Sequence, residues 1–354
     1  MRPSRTVTAL LCLLLLAAPA AAQEPPAAAA QGDDPVAAGI DRGVTYLLER
    51  QDDRGSFAPG ARYSVALTSL SVTALLSAGH LPTDDSPEGR AIAAGLDFVL
   101  RPEHQRGDGY FGDADAGRMY GHGITTLMLS EVLGMTGDAD TDALVRTKLE
   151  AAVDLILRSQ QVAKYDSRFD GGWRYAPESR DADLSITVWQ TMALRSAAEA
   201  GVEVPAASIE RATAYLKRSF QSRPGQPGGR FAYQPQSSAA GYSQTAAGLL
   251  ALQVCGVYDA PEVEAAVRYL RELDVTPRER WFFYGTYYYA QGMSQRRGEV
   301  ADEARRTVAD LLIPMQNDDG SWNGTGQASD RTYATSLAVL SLTVRYHYLP
   351  IYQR

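Results

Sequence analysis

Two kinds of amphipathic pattern alternate along this chain, and both have the spacing of helices. The first places apolar residues every three or four positions with charges between them, as in segment 261–272. That pattern predicts a half-exposed helix. The second kind, as in segment 65–76, is rich in Ala, Ser, Thr and Leu and nearly free of charge. A stretch that is apolar or small on all sides predicts a buried helix.

The alternation is a repeat that occurs six times. Comparable positions in the six half-exposed stretches are Tyr46, Phe98, Leu155, Tyr215, Tyr269 and Leu311. A long loop with glycine and an aromatic residue leads from each half-exposed helix to the buried one. Self-similarity at this period predicts one helix pair used repeatedly. The last buried stretch, 335–344, is as apolar as the internal ones, whereas an open solenoid would end in a polar repeat. The sequence therefore predicts an all-α fold, a closed (α/α)6 toroid with inner and outer helical rings, over residues 36–354.

The first 22 residues have the pattern of a secretory signal peptide. Arg2 and Arg5 precede an apolar run, and Ala20-Ala21-Ala22 forms a small-residue cleavage site. The run is too short and wrongly flanked for a membrane span. Residues 23–35 are rich in Ala and Pro and predict a flexible segment. We therefore expect an exported protein, periplasmic or secreted, with no transmembrane segment.

The mature chain is acidic. Loss of Arg2 and Arg5 changes the formal charge from −8 to −10. This balance disfavours nucleic acid as a partner. After cleavage Cys255 is the one cysteine left, so we expect no intrachain disulfide.

Segments 46–57 and 311–322 share a further pattern. Each has a helix end, then a glutamine (Gln51 or Gln316), then Gly-x-Phe or Gly-x-Trp. They resemble the glutamine-tryptophan repeats of squalene and hopene cyclases, whose α/α toroid also occurs in the β subunits of protein prenyltransferases. The resemblance covers essentially the whole mature chain. It implies that the glutamine amide joins the outer helix to the next loop, with the aromatic ring packed beneath it.

The third repeat resembles the C-terminal half of squalene-hopene cyclases most closely. Its Gly-Gly-Trp loop ends at Trp173, and Asp181 and Asp183 precede the buried stretch. In those cyclases an Asp-x-Asp-Asp-Thr motif stands here, and its middle aspartate protonates the substrate. The resemblance implies that role for Asp183, with Asp181 as its partner. However, Leu184 and Ser185 replace the last two motif residues, and an aspartate at a helix start is equally typical of an N-cap.

The zinc ligands of the prenyltransferases are not found at the matching positions. That family uses an Asp-x-Cys pair and a histidine, whereas this chain has aromatic and small residues at 281–284 and 333–335. The four histidines have no ligand spacing. The sequence predicts neither a metal nor another cofactor.

Five predicted inner helices begin at a tyrosine followed by a small residue. If the ring is closed, these starts meet at one end of the barrel, which we call the mouth. There the helix dipoles would favour negative or carbonyl-bearing ligands, and the tyrosines would form either a binding wall or a packing plug. The residues predicted to bind ligand are Tyr63, Tyr120, His122, Tyr242, Gln244, Tyr284, Tyr333, Trp173 and Trp189.

Three functions remain open at this stage. The first is a non-catalytic toroid that binds an apolar ligand, such as a lipid or isoprenoid, or a protein partner at the mouth. The second is a terpenoid-cyclase-like enzyme with Asp183 as general acid. The third is a carbohydrate-active α/α-barrel enzyme, which would need two carboxylates across a cleft. The first is favoured because each known chemistry of the superfamily lacks a required residue here.

Overall fold

The structure is a computed structural model that describes residues 34–222, 228–325 and 330–352. The predicted signal peptide and nearly all of the predicted flexible segment lie outside these residues. The described part contains twelve α-helices, with these bounds: α1 Pro35–Arg50, α2 Ser64–Ser77, α3 Pro87–Val99, α4 Arg118–Val132, α5 Ala139–Gln160, α6 Leu184–Glu199, α7 Ala206–Arg218, α8 Tyr242–Val254, α9 Pro261–Glu272, α10 Phe282–Ser294, α11 Gly298–Leu312 and α12 Arg331–Leu342. Two short antiparallel strands, β1 Phe220–Ser222 and β2 Gly229–Phe231, pair beside α7 and α9.

The even-numbered helices form an inner ring in the order α2, α4, α6, α8, α10, α12, and α12 packs on α2 again. Each odd-numbered helix packs behind the ring. The ends of the ring are joined by hydrogen bonds: Gln316 donates to the Gly39 carbonyl at 2.8 Å, and the hydroxyls of Ser71 and Ser336 lie 3.0 Å apart. The predicted all-α closed toroid is confirmed.

Burial explains the two kinds of sequence pattern. In α2 every residue from Val65 to Ser77 is buried, because neighbouring inner helices, the outer ring and the interior surround it. Hydroxyl groups in α2 donate hydrogen bonds to backbone carbonyls one turn earlier, as Ser69 does to Val65 at 2.8 Å. In α9 one face is buried, with Val263, Ala266 and Leu270, while charged residues occupy the other.

Glutamine side chains join successive repeats. The amide nitrogen of Gln160 donates to Gly171 in its own loop at 2.9 Å and to Ser208 in the next outer helix at 3.0 Å. Gln316 donates in the same way to Gly320 and Gly39. Gln51 and Gln105 make the equivalent pairs of bonds. The bridging role implied by the resemblance thus holds, and each amide also reaches the neighbouring repeat.

The aromatic residue of the loop is fixed from two sides. The backbone N–H of Trp173 donates to the Thr187 hydroxyl at 3.0 Å, and its indole N–H donates to the Ile156 carbonyl at 2.8 Å. The preceding Gly171 has φ +84°, and a Cβ there would lie 2.2 Å from the Arg211 carbonyl. Only glycine permits this contact with the next outer helix. The loops therefore present the start of each inner helix in a fixed position.

The other end of the barrel is covered by the chain itself. After α12 two 3-10 turns, Thr343–Tyr346 and Pro350–Tyr352, pack on α2, α10 and α6. Leu349 and Ile351 are buried there. Glu131 accepts a hydrogen bond from Ser196 beneath this segment, and burial raises the pKa of Glu131 to about 7. The mouth is thus the end that the C-terminal segment leaves uncovered.

Candidate functional site at the inner-helix mouth

Carboxylates already cap three of the inner helices at the mouth. Asp183 accepts from Ile186 N–H at the start of α6, and Asp330 accepts from Tyr333 N–H at the start of α12, both at 3.0 Å. Asp115, from the following loop, accepts from Val65 N–H at the start of α2 at 2.8 Å. Each cap supplies the negative charge that a helix N-terminus favours. The expected preference of the mouth for negative ligands therefore does not follow at these three helices.

Asp183 differs from an ordinary cap in its burial. The side chain is fully buried, and its Oδ1 accepts from the Ser185 hydroxyl at 2.6 Å in addition to Ile186 N–H. Its Oδ2 lies 3.7 Å from the Nε of Arg174. Burial raises the pKa of Asp183, opposed by the hydrogen bonds from Ser185 and Ile186, by the charge of Arg174 and by a hydrogen bond with Tyr233. The carboxylate is thus held in place by residues of the third and fourth repeats.

Arg174 lies over the aspartates and against two tyrosine rings. Its Nε is 3.7 Å from Asp183 Oδ2, and its Nη1 is 3.5 Å from Asp181 Oδ2. The guanidinium carbon is 5.0 Å from the ring centre of Tyr175 and 5.6 Å from that of Tyr233. Neither carboxylate contact is a hydrogen bond, and within the described residues Nη1 is buried with no hydrogen-bond acceptor. The guanidinium is therefore positioned by stacking and charge rather than by a closed ion-pair geometry.

The two tyrosines beside Arg174 belong to successive loops. Their hydroxyls lie 2.6 Å apart. The carbonyl of Tyr175 accepts from Met119 N–H near the start of α4, and that of Tyr233 accepts from Leu184 N–H at the start of α6. Each loop thus satisfies the first turn of the preceding inner helix and places its tyrosine at the rim of the mouth.

Below the rim, tyrosines from opposite sides of the ring approach each other. Burial raises the pKa of Tyr120 most strongly. The phenol of Tyr284 and the carboxylate of Asp183 raise it further. Tyr120 is on α4 and Tyr284 on α10, across the barrel, and Tyr333 of α12 acts in the same way on Tyr284. The side chains are half-buried. The Tyr284 hydroxyl is buried, and its hydrogen-bond partner is Tyr288, one turn further along α10.

A second aromatic layer lies deeper. The ring of Trp189 on α6 stacks on Tyr287 of α10, with centroids 5.9 Å apart and planes at 11°. Tyr288 contacts both Trp189 and Tyr284 edge-on. Because α6 and α10 are separated in the ring by α8, these rings meet inside the barrel. An aromatic layer therefore fills the barrel beneath the mouth.

The predicted common register of the tyrosines does not hold throughout. Taking the threonine that accepts from the loop aromatic as reference, Tyr333 stands two residues before Thr335, whereas Tyr242 stands three before Thr245 and Tyr63 five before Thr68. Tyr63 is 42% exposed, just before α2. The error arose because the inner helices begin at different distances from their aromatic loops.

Tyr242 and Gln244 stay outside the aromatic floor. The Tyr242 ring packs on α10, and its hydroxyl donates to Thr286 at 3.3 Å. Gln244 is half-buried, and its Oε1 accepts from the Ser243 hydroxyl at 3.2 Å. The structure therefore gives Tyr242 a packing role in the wall.

His122 and Trp173 lie inside the wall. His122 is fully buried; its Nδ1 accepts from Phe111 N–H at 3.3 Å and its Nε2 contacts the Ala152 carbonyl at 3.1 Å. In the third repeat, Thr187 accepts the bond from the backbone N–H of the loop aromatic, and the indole of Trp173 makes the bond to the carbonyl of the outer helix. In the second repeat His122 makes both bonds. Burial lowers the pKa of His122 to about 4. Both residues hold the loop in place, and the expectation that His122 faces the mouth is wrong because its two nitrogens are occupied.

Arg174, Tyr175 and Tyr233 were missed in the sequence. A signal was present, because each tyrosine stands two residues after the loop aromatic, Trp173 or Phe231. Of the predicted residues, the structure brings Asp181, Asp183, Tyr120, Tyr284 and Tyr333 to the mouth beside them, with Trp189 beneath.

Within the described ranges, no group of three or more His, Cys, Asp or Glu side chains is placed to hold a metal ion. None of the helices in these ranges is long and apolar enough to cross a membrane.

The arrangement can accept hydrogen bonds at Asp183, donate them from Arg174, and do either at the tyrosine hydroxyls. It also offers ring faces for apolar contact. Both aspartates contact the same guanidinium.

No sequence family matches the chain, and no curated protein matches it in sequence. Among solved structures, an inactive variant of an α-1,6-mannanase from Salegentibacter, in complex with mannotriose, aligns with a TM-score of 0.56 at 7% identity, covering 88% of this chain and 100% of that one. An unsaturated glucuronyl hydrolase specific for heparin (11% identity) and a D-mannose isomerase (13%) each align with a TM-score of 0.57, covering 88% of this chain and 97% of theirs. At such identities the likeness shows the α/α-toroid fold alone.

Proposed function

We propose that the protein is an exported, non-catalytic toroid that binds a small ligand at the mouth. The observation that carries this proposal is the cluster of Arg174, Asp181 and Asp183 with the tyrosines of two successive loops, at the end of the ring that the C-terminal segment leaves uncovered. Convergent charged and aromatic side chains at one end of a closed ring favour a ligand site.

The resemblance to squalene-hopene cyclases gives a second candidate, in which Asp183 is a general acid. It is favoured by the burial that raises the pKa of Asp183. Against it stand Arg174 and the two donors to Oδ1, all of which stabilise the anion. The aromatic layer of Trp189, Tyr287 and Tyr288 also occupies the depth that a long isoprenoid chain would need.

The test is native mass spectrometry, with extraction of bound molecules, on the mature protein from its exported compartment. Asp183→Asn is the test variant because asparagine also caps helices. Asp330→Asn is the matched control, since it changes the same kind of cap away from Arg174. We expect a bound mass in the wild type and in the control that is lost in Asp183→Asn.

A bound mass retained in Asp183→Asn, or no bound mass in any of the three proteins, contradicts the proposed site. A wild type that converts an added isoprenoid substrate, with Asp183→Asn inactive, would establish the second candidate instead.

A further inference from the structure

We infer that the chain after His347 forms a pH-sensitive strap, which closes the base of the barrel while Glu131 is protonated and opens when Glu131 ionises. The base is the end at which the inner helices finish, opposite the mouth. The carboxyl group of Glu131, in the last turn of α4, is buried there and accepts a hydrogen bond from the Ser196 hydroxyl of α6. It accepts another from the backbone N–H of Ile351 in the strap. A titratable group thus joins two inner helices to the segment that covers them.

The strap is a short segment with a turn at its start. The 3-10 turn Thr343–Tyr346 continues α12 directly. At His347 the backbone enters the left-handed region, with φ +54°, and the 3-10 turn ends there. Beyond this residue Leu349 and Ile351 are buried at the base. The part of the chain after His347 is therefore held down by two apolar side chains and by Glu131.

The surroundings of Glu131 favour its neutral form. Burial raises the pKa of Glu131 to about 7 and outweighs the two hydrogen bonds, which favour the anion. The charge of Glu199 on α6 raises this pKa further, and the nearby Arg195 pairs with Glu199 at 3.5 Å. Among the described residues, no basic group acts on Glu131. An ionised Glu131 under a closed strap is therefore a buried carboxylate without a cation beside it, and opening the strap admits water to it.

The histidine at the start of the strap responds to pH in the opposite direction. Burial and the charge of Arg305 on α11 lower the pKa of His347 below its ordinary value. Its neutral form therefore stabilises the folded state above about pH 6.5, and this contribution is lost as the pH falls. A strap governed by His347 would open in acid, whereas a strap governed by Glu131 opens as the pH rises.

The pH range of opening follows from the two states of Glu131. Under a closed strap its pKa is about 7, and under an open strap water restores the ordinary value of 4.5. The contribution of Glu131 to closure is therefore fully present below about pH 4.5 and is lost as the pH rises through about 7. Across that range the ratio of closed to open strap should fall on the order of a hundredfold.

The experiment is hydrogen exchange of the Ile351 amide in the full mature protein, followed by NMR and corrected for the intrinsic exchange rate at each pH. Glu131→Gln is the reference variant, because its amide oxygen can still accept from Ile351 but the side chain does not ionise. Relative to that variant, protection of Ile351 in the wild type should fall at least about tenfold between about pH 5 and about pH 8. Amides of α8, inside the ring, report global unfolding and should change less.

A second variant shifts the transition without touching the strap. The side chain of Glu199 is 42% exposed, so Glu199→Gln should fold normally. This change removes a charge that disfavours ionised Glu131, and the loss of protection should therefore end at a lower pH than in the wild type. If Glu131→Gln does not fold, this shift alone decides the role of Glu131.

Three outcomes overturn the inference. The first is a protection of Ile351 whose pH dependence is the same in the wild type and in Glu131→Gln. The second is an equal loss of protection in α8, because the whole fold would then respond to pH. The third is a transition that stays at the same pH in Glu199→Gln.

Discussion

The third and sixth repeats have the same local architecture and differ in what surrounds it. Trp173 and Trp322 both bond through the backbone to a threonine of the inner helix and through the indole to a carbonyl of the outer helix. Asp183 and Asp330 cap the two inner helices with the same 3.0 Å hydrogen bond. Yet Asp330 is exposed, whereas Asp183 is buried beside Arg174. The cap is therefore a structural device of the fold, and its burial at one repeat makes it a candidate site.

The tryptophans should show that the two repeats are structurally equivalent. Both side chains are fully buried, so Trp173→Ala and Trp322→Ala should each lower the free energy of unfolding by about 3–5 kcal/mol. Urea denaturation followed by circular dichroism measures this loss. Trp281→Ala is the control, because Trp281 is half-buried and should cost much less. A small loss at Trp173 or Trp322 would contradict the shared packing role.

The glutamine bridges differ in what they join. Gln160 links two neighbouring repeats within the chain, whereas Gln316 links the last repeat to the first and so closes the ring. Gln160→Ala and Gln316→Ala each remove the two hydrogen bonds donated by the amide nitrogen and those that the amide oxygen accepts from Arg211 or Arg42. We expect a loss of about 1–3 kcal/mol in the free energy of unfolding. Gln161→Ala is the matched control, because Gln161 follows Gln160 directly at the end of α5 and is exposed. Hydrogen exchange should show additional opening of α1 only in Gln316→Ala, because that bridge joins the two ends of the chain. Equal exchange of α1 in both variants would contradict closure through Gln316.

Asp183 should add a pH dependence to stability. Burial raises the pKa of Asp183 in the folded state above its unfolded value of about 4. Its contribution is therefore fully present below about pH 4 and is lost as the pH rises through the folded pKa. Relative to Asp183→Asn, the wild type should lose stability in denaturation curves as the pH rises above about 4. A constant difference between the two proteins across this range would contradict the environment described for Asp183.

The fold could be predicted from the sequence because its signals are local and repeated. Buried stretches like 65–76 recur six times, Gln-Gly-aromatic loops recur in four repeats, and each needs only its neighbours. The capping role of Asp183 was also readable from its position before a helix. The register of Tyr63 and Tyr242 was not readable, because the inner helices begin at different distances from their aromatic loops.

Contacts between distant parts of the chain explain what else was missed. Asp115 caps α2 from 50 residues away, and Tyr233 reaches Arg174 from the next repeat. His122 stands where other repeats use threonine, so its residue type suggested chemistry while its position made it structural. Such assignments depend on how the repeats close into a ring, which local pattern does not specify.

The central claim is that Asp183, buried beside Arg174, belongs to a ligand-binding mouth, while Asp330 only caps its helix. A high-resolution crystal structure of the mature protein, purified from its exported compartment without added ligand, tests this most directly. The account predicts density for a bound molecule at the mouth beside Arg174 and Asp183, and none at Asp330. A mouth that holds no bound molecule, with Arg174 and Asp183 contacting only other residues of the chain, would contradict it.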